Sequence, residues 1–159
     1  MLSAYPVVTN VEVRWGDMDA LGHVNNIIYL QYFETARITY HERIGIPAPS
    51  PQASTDGVIL AENSCRYRVP VTYPDTLSIG ARISAIGKDS FLMEYAAVSQ
   101  KLGRLVAEGD TLVVLYNYVE RRRAPMSLEL RASIIALEGR EPPPMPPRTR
   151  HTRSSFAPL

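Results

Sequence analysis

Cysteine and histidine are scarce in this chain of 159 residues, which contains one cysteine and three histidines. A single cysteine excludes an internal disulfide and a metal site built from several cysteines, and three histidines give little support to any other metal site. The 17 Lys and Arg residues nearly balance the 16 Asp and Glu residues, so no overall positive charge points to nucleic acid or an anionic membrane. We therefore expect no metal and no nucleic-acid partner.

Long apolar segments are also missing. No hydrophobic run approaches the roughly 20 residues that a membrane-spanning helix needs. The N-terminal stretch MLSAYPVVTNVEVRW lacks the basic leader and the continuous apolar core of a signal peptide. Together with the lone cysteine, these absences predict a cytoplasmic protein without a membrane partner.

Hydrophobic residues, in contrast, make up 45% of the chain, which is enough for the core of one globular domain. The C-terminal end has a different composition, because residues 139–159 contain six prolines and have four arginines against one glutamate. Such a segment has little apolar surface to bury. We predict a folded domain over residues 1–138 and a Pro/Arg-rich tail over residues 139–159.

One long helix is predicted between Asn26 and Ile44, where apolar residues recur with helical period. The apolar side comprises Tyr29, Tyr32, Phe33, Ala36, Tyr40 and Ile44, and the side largely opposite comprises Gln31, Glu34, His41 and Glu42. Gly45 is a typical helix stop. Elsewhere the period is two, which predicts strands over residues 7–15, 57–69, 75–87, 90–100 and 105–119, followed by a short helix over residues 126–139.

This order of elements, with one early helix and then four contiguous strands, predicts an α+β fold with an antiparallel sheet and helices on one face. A five-stranded sheet curled around one helix leaves an unpaired edge and exposed apolar surface. Dimerisation is the usual way in which proteins cover such an edge. We therefore expect a homo-oligomer.

The stretch RWGDMDALGHVNN, residues 14–26, gathers polar side chains just ahead of the long helix. Unpaired backbone N–H groups near Asn25 and Asn26 carry a partial positive charge, which can stabilise negative charge on a carbonyl oxygen. Asp17 and Asp19 lie close enough in sequence to place a carboxylate at the same point. A carboxylate that faces an oxyanion site is the minimum equipment for acyl transfer.

The same residues also fit roles without catalysis. An Asp or Asn ahead of a helix is most often a cap, worth ~1 kcal/mol. A loop histidine such as His23 is more often a hydrogen-bonding residue than a base or a ligand. Cys65 lies within a strand pattern and fits packing better than nucleophilic attack. The residue pattern by itself leaves capping and catalysis both open.

The string D-x-x-G-H-V-N-N-x-x-Y-x-x-x-x-E-x-A-R, from Asp19 to Arg37, resembles the signature of hotdog-fold acyl-CoA thioesterases, in the 4-hydroxybenzoyl-CoA thioesterase and FadM-like branch. The resemblance implies a curled antiparallel five-stranded sheet wrapped around one long central helix. It implies hydrolysis of acyl-CoA to a carboxylic acid and coenzyme A without a cofactor. It also implies a homodimer or homotetramer with sites built from both subunits. The alternative is a hotdog protein that binds acyl-CoA or an acyl carrier without catalysis.

The resemblance assigns roles to individual residues of the polar stretch. Asp19, the second aspartate of GDMD, takes the place of the catalytic carboxylate, as general base or as nucleophile. The backbone N–H at or beside Asn26 takes the role of polarising the thioester carbonyl. His23 and Asn25 then shape the loop and the substrate site.

The sequence also predicts roles for three charged residues outside this stretch. Lys88, in GKDSF, resembles a basic turn that contacts coenzyme A phosphates in some relatives. Glu34 and Arg37 are spaced i,i+3, and we expect them to pair on the helix surface. The candidate site thus comprises Asp19 and Asn26 for catalysis, and His23, Asn25 and Lys88 for substrate binding.

Overall fold

The computed structural model describes residues 1–46 and 56–146. It contains two helices, α1 (Asn26–Arg43) and α2 (Leu128–Glu138), one short 3₁₀ turn (Trp15–Asp17), and the strands β1 (Val7–Val13), β2 (Asp56–Tyr67), β3 (Asp75–Ile86), β4 (Ser90–Ser99), β5 (Arg104–Asn117) and β6 (Arg122–Arg123). The predicted ends of the helices and of the first five strands differ from these by no more than about two residues, within the usual uncertainty of element boundaries. The two-residue strand β6 was not predicted.

All strand pairs in the sheet are antiparallel, in the order β1-β3-β4-β5-β2, with β6 paired to the end of β5. Strands β3, β4 and β5 follow one another as hairpins, whereas β1 and β2 lie at opposite edges. Alternate residues of β3 face the core, including Leu77, Ile79 and Ile83, each at most 2% exposed. The α+β prediction of a curled antiparallel sheet with a long helix and a short helix is confirmed.

Helix α1 packs on the core face of the sheet through the predicted apolar residues, all of which are buried. Phe33 stacks on Tyr95 of β4, with ring centroids 5.0 Å apart. Gly109 of β5 permits this approach, since a Cβ atom there would lie 2.8 Å from the Phe33 ring. The aromatic side of α1 therefore fixes the height of the helix above the sheet.

The buried face of α1 is wider than the sequence pattern predicted. His41, placed on the exposed side by that pattern, is 6% exposed and meets Phe91 edge to face at 5.8 Å. Glu34 and Arg37 do form the predicted ion pair, at 3.2 Å, but the Arg37 side chain is buried and not on the helix surface. Both differences have one cause, because the curled sheet covers more of the helix circumference than the apolar stripe.

The C-terminal end of α1 is tied to α2 and to β3 through one carboxylate. The Tyr40 hydroxyl donates a hydrogen bond to Oε1 of Glu138, the last residue of α2. The Ile83 N–H donates to the same oxygen at 2.7 Å. The pairing of β3 with β4 shifts register between Ile83 and Ala85, next to this contact. Glu138 thus satisfies a backbone donor of the sheet and a side chain of the helix together.

The first part of the predicted tail lies against the sheet. The Ile86 N–H donates to the Pro143 carbonyl at 2.9 Å, and the Met145 N–H donates to the Ile86 carbonyl at 3.0 Å. Residues 147–159 lie outside the described part of the chain, and the division between domain and tail at residue 138 stays a prediction. Over residues 1–46 and 56–146, neither helix is long and apolar enough to cross a bilayer.

Candidate active site

The loop between β1 and α1 folds back on itself as a small hairpin at the start of α1. The Asp19 N–H donates to the His23 carbonyl at 2.9 Å, and the Gly22 N–H donates to the Asp19 carbonyl at 3.0 Å. Gly22 has φ +77°, a left-handed conformation that glycine adopts at little cost. The Asn25 N–H closes the hairpin by donating to the Asp17 carbonyl at 2.8 Å.

The two aspartates of the hairpin have different surroundings. Oδ2 of Asp17 accepts hydrogen bonds from the Tyr32 hydroxyl at 2.6 Å and from the Arg14 N–H at 2.8 Å. Oδ1 of Asp19 accepts one from the Leu21 N–H at 2.8 Å, and Asp19 is exposed. Among the described residues, no donor contacts the second carboxylate oxygen of Asp19. Asp17 is therefore held against α1, while Asp19 keeps an oxygen available for a substrate or water.

A cavity of about 350 Å³ brings Asp19 together with the start of α1 and the end of β2. The residues that line it are Asp19, His23, Val24, Asn26, Tyr29, Tyr67, Arg68, Val69 and Pro70. Three of the five predicted site residues, Asp19, His23 and Asn26, thus face one space. Asp19 and His23 make the hairpin side of its wall polar, and the side at the end of β2 combines the Tyr67 ring with the charged Arg68.

Asn25 and Asn26 occupy different positions at the start of α1. Asn25 is the N-cap, and its side-chain Oδ1 accepts a hydrogen bond from the Ile27 N–H at 3.1 Å. Asn26 is the first residue of the helix, where backbone N–H groups lack intrahelical partners and the helix dipole is positive. The capping role considered for an Asn ahead of the helix is therefore confirmed for Asn25, which does not line the cavity.

Tyr67 of β2 lines the cavity and was missed by the sequence analysis. Its hydroxyl donates to the Asn26 carbonyl at 3.0 Å, and its ring meets that of Tyr29 at 5.3 Å. Burial, followed by the nearby Cys65, raises the pKa of Tyr29 to about 12, so that its phenol remains neutral at ordinary pH. No local signal could reveal this wall, because β2 lies about 40 residues beyond the hairpin in sequence.

Arg68 lines the cavity just beyond β2, and Cys65 lies in β2 two residues before Tyr67. The Arg68 guanidinium forms a two-pronged ion pair with Glu108 of β5, at 2.5 and 3.1 Å. Cys65 is half-buried beside Tyr67, and burial raises the pKa of its thiol, which disfavours the reactive thiolate. Within the described ranges, no group of three His, Cys, Asp or Glu side chains is arranged to hold a metal ion.

Lys88 lies at the opposite end of the fold from Asp19. It is in the turn between β3 and β4, where its carbonyl accepts a hydrogen bond from the Met126 N–H at 2.8 Å. This is the end of the sheet at which α1 finishes, and an 18-residue helix is about 27 Å long. A single chain therefore does not bring Lys88 into the Asp19 cavity.

The fold and the site together define a class: a hotdog-type protein with an exposed carboxylate beside the start of its central helix. The sequence model of the thioesterase-like superfamily matches residues 13–152. The chain therefore belongs to the thioesterase-like superfamily.

Solved structures agree with this family. A thioesterase from Thermus thermophilus, crystallised with coenzyme A and zinc, is 34% identical with a TM-score of 0.75, over 87% of this chain and 98% of that one. A thioesterase-superfamily protein from Jannaschia sp. CCS1 is 26% identical with a TM-score of 0.79, over 88% and 87% of the two chains.

Among curated proteins, the chain is 29% identical to the uncharacterized YsmA of Bacillus subtilis over 93 residues. The match spans 58% of this chain and 61% of that protein.

Proposed function

We propose that this protein hydrolyses acyl-CoA thioesters to a carboxylic acid and coenzyme A. One observation carries the proposal: an exposed carboxylate, Asp19, shares a cavity of about 350 Å³ with the first residue of α1, Asn26. A binding protein needs no carboxylate at that point, whereas thioester hydrolysis needs a group that activates water or attacks the carbonyl. Membership of the thioesterase-like superfamily supports the same reaction.

In the proposed reaction, the thioester carbonyl oxygen lies at the start of α1, where backbone N–H groups and the helix dipole stabilise the oxyanion. Asp19 then takes a proton from water, which attacks the carbonyl, and the tetrahedral intermediate expels the thiolate of coenzyme A. Alternatively, the Asp19 carboxylate attacks the carbonyl carbon, the C–S bond breaks to expel the thiolate of coenzyme A, and water hydrolyses the resulting anhydride to the carboxylic acid and free Asp19. His23 lines the same cavity and shapes the substrate site, and Asn25 holds the helix start as its cap.

The test is a panel of acyl-CoAs with short, long and aromatic acyl groups, with thiol release followed by a colorimetric reagent. We expect release of coenzyme A from at least one class, and its loss in Asp19→Asn. A preference for aromatic acyl groups would place the protein in the 4-hydroxybenzoyl-CoA thioesterase branch, and a preference for long chains would place it in the FadM-like branch. Saturable binding without any thiol release would overturn hydrolysis and identify an acyl-CoA binding protein.

We also propose that the protein works as a homodimer or a larger homo-oligomer. Strand β2 is an edge of the sheet and exposes Ile59 and Leu60, and the outer side of α1 exposes Ile27. Such an apolar edge is a natural pairing surface for a second copy. Sedimentation at micromolar concentration should give twice the monomer mass or more, and a monomer would contradict the proposal.

The dimer gives Lys88 a route to the substrate. If β2 pairs with β2 of a second copy in antiparallel fashion, the two copies run in opposite directions, so the β3–β4 turn of one lies toward the α1 start of the other. Lys88 of the second copy would then bind a phosphate of coenzyme A. We expect Lys88→Ala to raise KM and to leave kcat nearly unchanged, whereas an unchanged KM would remove Lys88 from the substrate site.

A further inference from the structure

Tyr32 is a buried phenol in the second turn of α1, and none of the roles proposed above uses it. Its side chain is 5% exposed, and its hydroxyl donates to Oδ2 of Asp17 at 2.6 Å. Hydrogen bonds between a hydroxyl and a carboxylate are short and stronger than those between neutral groups. Burial and the neighbouring Asp17 carboxylate raise the pKa of Tyr32 far above its usual value, so that the phenol remains a donor.

Asp17 connects Tyr32 to the hairpin that carries Asp19. Its carboxylate is held by Tyr32, and its carbonyl accepts the N–H of Asn25, the cap of α1. Between these two points, Met18 pairs with Val24 across the hairpin. Asp19 is the next residue after Met18, and it lies in the hairpin that the Tyr32–Asp17 hydrogen bond anchors to α1.

A second buried tyrosine on the same helix offers a comparison. Tyr40, two turns further along, also donates its hydroxyl to a carboxylate, that of Glu138 in α2. Both phenols are buried and both have a pKa raised by burial first and by the bonded carboxylate second. They differ in what they hold, because Tyr32 holds the hairpin of Asp19 and Tyr40 holds the far end of the helix.

We propose that Tyr32 is a positioning residue for thioester hydrolysis, holding Asp19 at its working distance from the start of α1 through Asp17. This inference rests on the proposed function. A misplacement of about 1 Å can cost as much as 10²-fold in rate. We therefore expect Tyr32→Phe to lower kcat roughly tenfold or more while KM changes little, since Tyr32 does not line the cavity.

The experiment compares Tyr32→Phe with Tyr40→Phe in the full chain, by steady-state kinetics and by melting temperature. Each variant loses one hydroxyl from the same helix and should lose similar stability. We expect kcat to fall only in Tyr32→Phe. Equal kcat values in the two variants, whether both lowered or both unchanged, would overturn the proposal.

A spectroscopic measurement tests the positioning without relying on activity. Trp15 is the only tryptophan of the chain and lies in the short 3₁₀ turn that ends at Asp17. We expect the fluorescence anisotropy of Trp15 to fall in Tyr32→Phe and to stay unchanged in Tyr40→Phe. If the wild-type protein releases no thiol from any acyl-CoA, the proposed function fails, while an unchanged Trp15 signal would refute the anchoring by Tyr32 itself.

Asp17→Asn provides a second variant in case Tyr32→Phe does not fold. It keeps an oxygen that can accept from Tyr32 but removes the charge, so the hydrogen bond weakens without being lost. A smaller decrease in kcat, with KM nearly constant, would support the proposal. An unchanged kcat and an unchanged Trp15 signal in Asp17→Asn would overturn it.

Discussion

The two ends of α1 are built from the same kinds of residue but differ in exposure. At the N-terminal end, Tyr32 donates to Asp17, and a second carboxylate, Asp19, lies exposed beside a cavity. At the C-terminal end, Tyr40 donates to Glu138, which also accepts the Ile83 N–H of β3. One end leaves a carboxylate oxygen available for chemistry, whereas the other uses its carboxylate to join helix and sheet.

The histidines show the same contrast. His23 is exposed in the hairpin at the N-terminal end, whereas His41 is buried against Phe91 near the C-terminal end. Among the described residues, no partner contacts Nε2 of His41. The same residue type thus has different surroundings at the two ends, because burial removes the solvent contacts that an exposed histidine keeps.

The largest effect that we expect is at the exposed end of this comparison. Asp19→Asn preserves size but removes the base and the nucleophile, so kcat should fall by about 10²-fold or more. Asp17→Asn should lower kcat much less, because the side-chain oxygen at that position can still accept a hydrogen bond from Tyr32. Steady-state thiol release by the two purified variants measures the difference, and a larger loss at Asp17 would move the catalytic role two residues upstream.

The next largest effect is the pH dependence of stability at the C-terminal end of α1, where His41 is buried. Burial, followed by the neighbouring Arg37 charge, lowers the pKa of His41 from 6.5 to about 4 in the folded protein. The unfolded chain binds the proton more tightly than the folded protein does. The contribution of His41 to the free energy of unfolding is therefore fully present above pH 6.5 and declines as pH falls toward 4, by up to about 3 kcal/mol. Urea unfolding between pH 4 and 7 measures this slope.

His41→Leu should make that slope shallower, since it removes the titrating group. His23→Leu is the matched control, because it replaces an exposed histidine in the same way. A wild-type slope retained in His41→Leu would mean that other groups, such as carboxylates, account for the acid sensitivity.

A smaller effect is expected at the junction of α1, α2 and β3. Glu138→Gln keeps an acceptor but loses the charge that strengthens the bonds from Tyr40 and Ile83, so the free energy of unfolding should fall by about 1 to 2 kcal/mol. The kcat of the folded variant should match that of the wild type. A decrease in kcat as large as that of Tyr32→Phe would mean that the two ends of the helix are not independent.

The smallest effect is expected from the tail. Truncation after Gly139 removes the two backbone hydrogen bonds between Ile86 and residues 143–145 and the Arg131–Glu141 ion pair, which is exposed. We expect a folded protein with a melting temperature within a few degrees of the wild type, because exposed ion pairs contribute little. An unfolded truncate would contradict the predicted domain boundary at residue 138. A raised KM would support a role of the tail arginines in phosphate binding.

The sequence by itself determined the elements and predicted where the proposed chemistry lies. Asn25 as cap, Gly45 as stop and the helical period between them are signals that act over a few residues, and they predicted α1 closely. Period-two alternation located the strands in the same way. The string from Asp19 to Arg37 indicated the family, because its polar residues and the helix they precede are contiguous.

Only the tertiary structure decided which residues meet. Tyr67 reaches Asn26 across 41 positions, and Tyr40 reaches Glu138 across 98. The same curvature of the sheet buried His41 and Arg37, and the direction of the strands placed Lys88 at the end away from Asp19. The tertiary structure also gave the two aspartates different surroundings, because Asp17 accepts a hydrogen bond from Tyr32 whereas Asp19 is exposed. Local patterns carry no information on such contacts, because they depend on how distant segments pack.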